Sequence, residues 1–526
     1  MKHRWAFLLI GLAYLSFSGF CVHNGSFVAQ DGHRYFTIND DALISLRYAW
    51  NLAHGHGLVW NPGERVEGFT NPLWTLYAAA WAVVTSRRFL PLVMQLSGVA
   101  FLLAQALVFL LIARTLMQAR GRTSPWREAA AFVLPLVYGP LVFWSMEGLE
   151  VCLVGFLIAL AVLFYIQRKL IAVAVALGLA FWTRPDSAIP AAIIMGLAGL
   201  DVLRDRKQLK AWLTACSVLL AFGAVLFTVR QLYYGHLWPN TYVLKMRGFP
   251  AMDRIKLNGI EYIKPFLRAN SLPLALAVWA LVVSRTRWRF LFLALVVPMI
   301  VYVVYVGGDA LQHWRFLAPY VPFLGLTFLD AAGADRPVSK YRSVPNLLML
   351  LMVLGSWLVT SVAPIREQFR GPGPFERKNI EIAIELNRLM KPGASIGVLH
   401  AGSIPYYTDF QAYDFLGKCD WTIARLPPNL VDPPHWGGMR SVPGHNKHDL
   451  GFSISHHRPT YIQSYWWGYD CPRAYVLDHY AFTPTFIESD FTGPYLLFLR
   501  GSEFVRWDLV QPKPLLGAKI FGEKMH

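Results

Sequence analysis

The sequence predicts a polytopic α-helical membrane protein, with about eleven transmembrane helices and a C-terminal soluble domain of α/β or mixed class. Three observations predict it. Of the 526 residues, 55% are hydrophobic and only 15% are charged, against about 25% charged in a typical soluble domain. Apolar stretches recur from Trp5 to Ala363, each near the length that crosses a hydrocarbon core of about 30 Å. Residues 364–526 read instead as an ordinary globular region.

The net charge of +17 does not point to nucleic acid, because the basic residues are placed as the positive-inside bias places them. They occupy the connectors between apolar stretches: Arg114 to Arg127, Arg168 and Lys169, Arg204 to Lys210, Arg285 to Arg289, and Asp335 to Arg342. Met1-Lys2-His3-Arg4 precedes an apolar run with no convincing small-x-small cleavage site, so the N-terminus reads as a retained signal anchor starting in the cytoplasm. The five cysteines form no metal pattern. Cys21, Cys152 and Cys216 lie in or beside apolar spans as small hydrophobes. Cys419 and Cys471 share the soluble region, as two thiols or one disulfide.

From that start, a span at 5–22 exits the membrane and 24–70 form a long extracytoplasmic loop. Residues 72–86 are short, bounded by Pro72 and Arg87-Arg88, and rich in Trp and Tyr. They read as an interfacial helix. Spans follow at 91–113, 129–145, 150–167, 170–183, 187–203, 211–232, 272–284, 290–306, 314–330 and 345–363. This count puts every basic cluster inside. It puts residues 364–526 outside, together with Asp40-Asp41, Glu147 to Glu150, Arg184-Pro185-Asp186, Trp238 to Thr241 and Gly307-Gly308-Asp309. An enzyme on that face has no nucleotide sugar at hand and needs a lipid-carried donor. In the soluble region, Ser395 to Leu399 reads as a strand and Pro405 to Asp409 as a turn, while Pro433-Pro434 and Trp436-Gly437-Gly438 mark loops.

The candidate chemistry lies on the outer face. Asp40-Asp41, ahead of an amphipathic run, can divide the removal of a proton from a hydroxyl and the binding of a cation or acceptor. Equally, an Asp there can cap the helix over Ala42 to Leu52. Glu147, Glu150, Arg184 and Asp186 flank spans, where a charge is costly unless it is paired or functional. An Arg at that depth suits phosphate, or snorkels to the interface. Asp309 lies near His313 and Arg315, and Asn240 and Lys245 either bind phosphate or merely cap and face solvent.

These blocks together resemble the GT-C glycosyltransferases, and within them most closely the terminal β-(1→2) arabinofuranosyltransferases of mycobacterial cell-wall synthesis and their relatives. The resemblance is carried by Asn39-Asp40-Asp41-Ala42 with Arg47-Tyr48, by Gly55-His56-Gly57 through Glu64, and by Val66-Glu67-Gly68-Phe69-Thr70-Asn71-Pro72. It continues in Glu147-Gly148-Leu149-Glu150, Arg184-Pro185-Asp186, Pro239-Asn240-Thr241-Tyr242 with Lys245, and Gly307-Gly308-Asp309 with Arg315-Phe316. In the soluble region Ala401 to Tyr407, Asp414 to Gly417 and Gly444 to Lys447 join in. The order Met146-Glu147-Gly148 and the pair Cys419-Asp420 depart from the family pattern.

The resemblance implies inverting transfer of a sugar, arabinofuranose, from a polyprenyl-phosphate donor to a hydroxyl of a cell-envelope glycan or glycoprotein, at the outer face of a bacterial inner membrane. Asp40 is then the general base and Asp41 its assistant, through a hydrogen bond or a divalent cation held by the pair. Lys245, Arg184, Arg315 and His313 would stabilise the departing phosphate. Arg47, His56, Glu64, Glu67, Glu150, Asn240, Asp309 and Tyr406 would contact substrate, with the prenyl chain in a groove between spans among membrane lipids. The same fold could serve another sugar, a hexose or aminoarabinose, on lipopolysaccharide, pilin or flagellin. It could also be a non-catalytic relative in envelope or flagellar assembly, which an intact aspartate pair disfavours. Few central charges and no internal repeat disfavour a transporter.

Overall fold

The computed structural model describes residues 4–119, 121, 124–329, 343–431 and 438–510. The connector from Asp335 to Arg342, the prolines 433 and 434, and Trp436-Gly437 lie outside the described residues.

Helix α1 (Arg4–Asn24) is followed by a small antiparallel pair, β1 (Ser26–Val28) with β2 (Arg34–Phe36). Next come α2 (Asp40–Ala53), α3 (Pro72–Ala82), α4 (Leu90–Gln118), α5 (Pro125–Val137), α6 (Gly139–Ser145), α7 (Val151–Ile166) and α8 (Leu170–Thr183). Then follow α9 (Ala188–Arg204), α10 (Leu209–Tyr234) and α11 (Asn240–Met246). Helix α12 (Ala251–Arg254) runs through a π turn at Ile255–Gly259 into α13 (Ile260–Val283). The bundle closes with α14 (Arg287–Ala294), α15 (Val297–Tyr305), α16 (Pro322–Leu329) and α17 (Ser343–Phe369).

Apolar residues on the rim of the bundle, among them Leu9, Leu203, Leu220, Leu232 and Val359, are exposed. In water they would form a large sticky patch; in a bilayer they meet acyl chains. Seven helices among the described residues are long and apolar enough to cross a membrane, or eight if α5 and α6, bent by 64°, count as one span. This is a multi-pass membrane protein; of the eleven expected spans, some are shorter among the described residues than a full crossing by length and composition. Helices α7 and α8 have 16 and 14 residues and are covered mostly by neighbouring helices rather than by lipid. The expected span at 314–330 reduces to α16, whose eight residues are all buried. The expected short span at 272–284 belongs to a continuous helical stretch of 33 residues, Ala251–Val283. Helix α3, with 11 residues, is only about 16 Å long at 1.5 Å per residue and is too short to cross alone.

Helix α17 runs through the expected boundary at 363/364 and leads to α18 (Pro374–Leu389). Beyond it, β3 (Ser395–Val398), α19 (Ser403–Tyr407), β4 (Gln411–Asp414), α20 (Leu450–His457), β5 (Tyr461–Ile462), α21 (Arg473–His479), β6 (Tyr480–Ser489) and β7 (Gly493–Leu499) form the C-terminal unit. Its mixed sheet has the order β4-β3-β5-β7-β6, parallel around β3 and antiparallel around β7. The strand read at 395–399 is β3. The turn read at 405–409 is instead mostly the short helix α19, packed on α2 and α18. All five cysteines are free thiols; Cys419 is buried and Cys471 exposed.

Candidate active site

Helix α2 is capped by Asn39, not by an aspartate: the Asn39 side chain accepts a hydrogen bond from the Asp41 amide at 3.1 Å. Both aspartates therefore sit in the first helical turn, where the helix dipole favours negative charge. Successive residues on a helix point in directions about 100° apart, and the two side chains go separate ways.

Asp40, expected to face a cleft as the base, is buried between the two halves of the molecule. Its Oδ2 accepts from the Gly402 amide at 3.0 Å, and its Oδ1 from the Ser403 amide and hydroxyl, both at 2.7 Å. Gly402 is required here, since a Cβ would sit 1.9 Å from the Asp40 carbonyl oxygen. Asp40 thus fastens α2 to the start of α19.

Asp41 instead lines a cavity of about 580 Å³ between the helices and the C-terminal unit. One of its oxygens meets the Lys418 ammonium, and the other lies 3.2 Å from Arg315 Nη1. Burial by itself would raise the Asp41 pKa, but Lys418 and Arg315 outweigh it and hold the carboxyl well below the usual carboxylate range. Arg315 also reaches Asp309: Nη2 donates to Oδ1 at 3.0 Å and Nε lies 2.6 Å from Oδ2. Lys245 Nζ lies 3.6 Å from Asp309 Oδ1. Arg184 is held between Glu150 at 2.8 Å and Asp186 at 3.0 Å. The Phe316 ring lies under three of these cations, with Arg184, Lys245 and Arg315 at 4.2, 5.3 and 5.3 Å from its centroid. Burial lowers the Lys245 pKa, and Arg315 and Arg184 add to this, against the opposing pull of Asp309 and Asp41. Formal charges balance on this wall, but Lys245, whose nearest carboxylate oxygen is 3.6 Å away, is the cation held most loosely and has donors to offer an anion.

Second partners fix these groups. Glu150 Oε2 accepts from Asn71 Nδ2 at 2.7 Å, and Ser45 donates to Asn71 Oδ1 at 3.0 Å. Asn240 Nδ2 donates to the carbonyls of Gly417, Lys418 and Asp420 at 2.9, 3.1 and 2.9 Å. The buried Asp414 accepts from the Leu416 and Cys419 amides. Together they shape the tight turn that aims Lys418 at Asp41, a turn opened by Gly417 at φ +81°.

The remaining predicted residues fall elsewhere. Glu67 is buried and forked against Arg230, at 2.9 and 3.0 Å, and Arg230 lines the cavity. Arg47 is a buried staple, donating to the carbonyls of Trp60, Pro405 and Phe410. The Tyr406 hydroxyl donates to the Arg87 carbonyl at 2.7 Å. His56 is exposed in a surface loop. Glu64 is also exposed, accepting from Asn61 and Gln411. His313 is turned away from the cavity, with Nε2 2.7 Å from Glu367 and its ring against Phe143. Lys418 and His445 line the cavity without having been singled out in the sequence; His445 sits within the Gly444 to Lys447 block that carries the family resemblance, and Lys418 directly follows the Asp414 to Gly417 block.

A cation held by Asp40 and Asp41 does not suit this donor set. Asp40 is filled by amides and a hydroxyl, and Asp41 faces two positive charges. Among the described residues no group of three or more His, Cys, Asp or Glu side chains is arranged to hold a metal ion.

The arrangement of apolar helices and a sheet-containing unit is similar to that of a solved GT-C glycosyltransferase, the fold the motifs led us to expect. The solved structure of ArnT from Cupriavidus metallidurans, bound to undecaprenyl phosphate, is similar in fold, with a TM-score of 0.52 at 13% identity over 81% of this chain and 89% of that one. In sequence the chain is similar to the terminal beta-(1->2)-arabinofuranosyltransferase of Corynebacterium glutamicum, at 26% identity over 380 residues, 62% of this chain and 52% of the relative. The enzyme of the same name from Mycobacterium tuberculosis is 30% identical over 279 residues, 48% of this chain and 42% of the relative. The chain thus spans about half the length of these curated relatives. Residues 365–503 match a domain of unknown function, DUF8728.

Proposed function

We propose that the protein is a membrane glycosyltransferase that moves a sugar, arabinofuranose, from a polyprenyl-phosphate donor to a hydroxyl of a cell-envelope glycan, with inversion, on the non-cytoplasmic side of a bacterial inner membrane. The observation that carries this reading is the cavity in which Asp41 meets Arg315 and Lys418, with Lys245 beside Asp309 on the same lining. The phosphate of the donor takes the place opposite Lys245, Arg315 and Arg184, and these cations stabilise it as it leaves. No proton is needed there, because the leaving group departs as an anion. Asp41 accepts the proton of the attacking hydroxyl. The donor phosphate competes for Arg315, which frees one carboxylate oxygen of Asp41 for that task. Lys418 and Arg315 supply the positive charge that a metal would otherwise bring to Asp41.

The apolar side of the same cavity includes Phe181, Phe227, Trp238 and Tyr242. Trp238 stacks on Tyr242 with ring centroids 4.9 Å apart, and both are exposed. Such a wall suits a prenyl chain entering from lipid, and the undecaprenyl phosphate in the ArnT structure supports the donor class. The names of the two curated relatives support arabinofuranose as the sugar. Residues 364–526 act as the outer domain that meets the acceptor. The test is to incubate the purified protein with a panel of polyprenyl-phosphate sugars and a glycan acceptor, and to identify the product by mass and linkage. A product carrying arabinofuranose of inverted anomeric configuration supports the reading, and transfer of a different sugar alone would overturn its finer part.

A further inference from the structure

The C-terminal unit holds a second cavity, of about 490 Å³, which the proposed transfer chemistry does not use. It lies within the stretch matched by the domain of unknown function. One wall is a tight turn: Trp467 and Asp470 exchange backbone hydrogen bonds at 3.0 and 3.1 Å around Gly468, whose φ is +59°. Asp470 is anchored in turn, accepting from the Leu450 amide at 2.7 Å, with His448 Nδ1 at 3.0 Å. The turn presents Tyr469, 71% exposed, beside Trp467. The Trp467 indole N–H donates to the His445 carbonyl at 3.0 Å, and its half-buried ring, near those of His400 and His445 at 6.1 and 6.4 Å between centroids, also lines the cavity.

Beside Trp467, the lining also includes residues with polar atoms that have no hydrogen-bond partner inside the protein. Asn446 is 5% exposed; its amide nitrogen donates to Ser441 at 3.4 Å, while its Oδ1 has no hydrogen bond. His445 Nδ1 is likewise buried and unpaired. Buried acceptors are rarely left empty, because each costs free energy unless a ligand or water fills it. Two aromatic residues, Trp467 and Tyr469, line this cavity together with Asn446 and His445, a mix that suits a saccharide, whose C–H face packs on rings and whose hydroxyls pair with amide and imidazole groups.

His445 lines this groove and also the cavity of Asp41. The groove and the cavity of Asp41 are therefore next to each other, on either side of His445. We propose that the groove bounded by Trp467, Tyr469, Asn446 and His445 is the acceptor-glycan subsite, holding the chain one or more sugars away from the hydroxyl that reacts. This rests on the transferase reading for the word acceptor, but not for saccharide binding itself.

The test uses the full-length protein in detergent and a linear arabinofuranose trisaccharide as probe. Titration should change the intrinsic tryptophan fluorescence saturably in the wild type. Tyr469→Ala, at an exposed position where folding is not at stake, should weaken binding about tenfold, the effect of losing one aromatic contact of about 1.4 kcal/mol. Trp467→Ala and Asn446→Leu should weaken it as well. In the transfer assay the acceptor KM of Tyr469→Ala should rise by a similar factor, with the donor KM within about twofold of wild type. No saturable response to the trisaccharide, or equal binding and equal acceptor KM in wild type and Tyr469→Ala, would overturn the proposal, including the case in which a protein segment occupies the groove instead. If the wild type binds the trisaccharide but transfers nothing from any donor, the transferase reading fails and the saccharide groove stands. If transfer persists with an unchanged acceptor KM in Tyr469→Ala, the reverse holds.

Discussion

Replacing Asp41 by Asn separates chemistry from architecture, because the amide keeps the shape of the carboxylate and still offers Lys418 an oxygen. What it loses is the ability to take up a proton. General-base catalysis contributes about 10²- to 10⁴-fold, equivalent to about 2.7 to 5.4 kcal/mol of activation free energy, so kcat should fall by that factor. The donor KM should not rise. Asp41 is the counter-charge of Lys418 and Arg315, and its removal leaves the wall more positive toward a phosphate. The contrasting variant is Asp40→Asn. Asp40 receives three hydrogen bonds from Gly402 and Ser403, and weakening these should cost about 1–3 kcal/mol of stability, seen as a lower melting temperature. The kcat of the folded enzyme should stay within about tenfold of wild type, because a fastening residue supplies none of the general-base factor. Initial rates with purified protein and labelled donor, beside thermal melts of both variants, decide it. If Asp41→Asn keeps more than about a tenth of kcat, a loss too small for a missing base, the reasoning fails. If Asp40→Asn loses the activity at an unchanged melting temperature, the base is Asp40.

Other predictions follow from the same geometry. Lys245→Met should raise the donor KM about tenfold or more, the scale of a lost charge-assisted contact, whereas His313→Ala should leave it at the wild-type value; equal effects would contradict the placement of the phosphate. Gly402→Ala should lower the melting temperature by forcing α2 off α19, at a cost of at least about 1–3 kcal/mol; an unchanged melt would refute that contact. Burial raises Glu147 to about 8, with Glu376 and Glu367 nearby adding to the shift, and burial raises Glu376 to about 7. The stability these protonated carboxyls contribute is complete below pH 4.5 and is lost as pH rises through 7 to 8. Glu147→Gln should therefore stabilise the protein more at pH 8.5 than at pH 5, and an equal shift at both would contradict the burial argument. Cys471 is the exposed cysteine among the five. A membrane-impermeant maleimide applied to intact cells should label it, and labelling only after permeabilisation would reverse the proposed orientation.

Much of this was legible because hydropathy reports apolar segments directly: each of the eleven segments read from the sequence contains a helix. The number of full crossings was not legible, because an apolar residue covered by protein, as throughout α16, reads the same as one covered by lipid. Motif blocks located Arg184, Lys245, Asp309 and Arg315, which do converge. The division between Asp40 and Asp41 depends on which neighbour each meets across the fold, and Ser403 lies 363 residues away in sequence. Lys418 carries no local signal of its own; only the turn clasped by Asn240 and Asp414 brings it to Asp41. His313 read as a phosphate ligand because it is close to Arg315 in sequence. Its backbone takes φ +56°, and its side chain turns to Glu367.

The most direct test of the central claim, that the cationic wall beside Asp41 receives a lipid phosphate, is a cryo-electron microscopy structure of the protein with undecaprenyl phosphate. The phosphate should lie about 3 Å from the Lys245 and Arg315 nitrogens, near Phe316, with the prenyl chain leaving past Phe227 and Trp238. A phosphate bound away from Lys245 and Arg315, or a lipid lying outside this cavity altogether, would contradict the account.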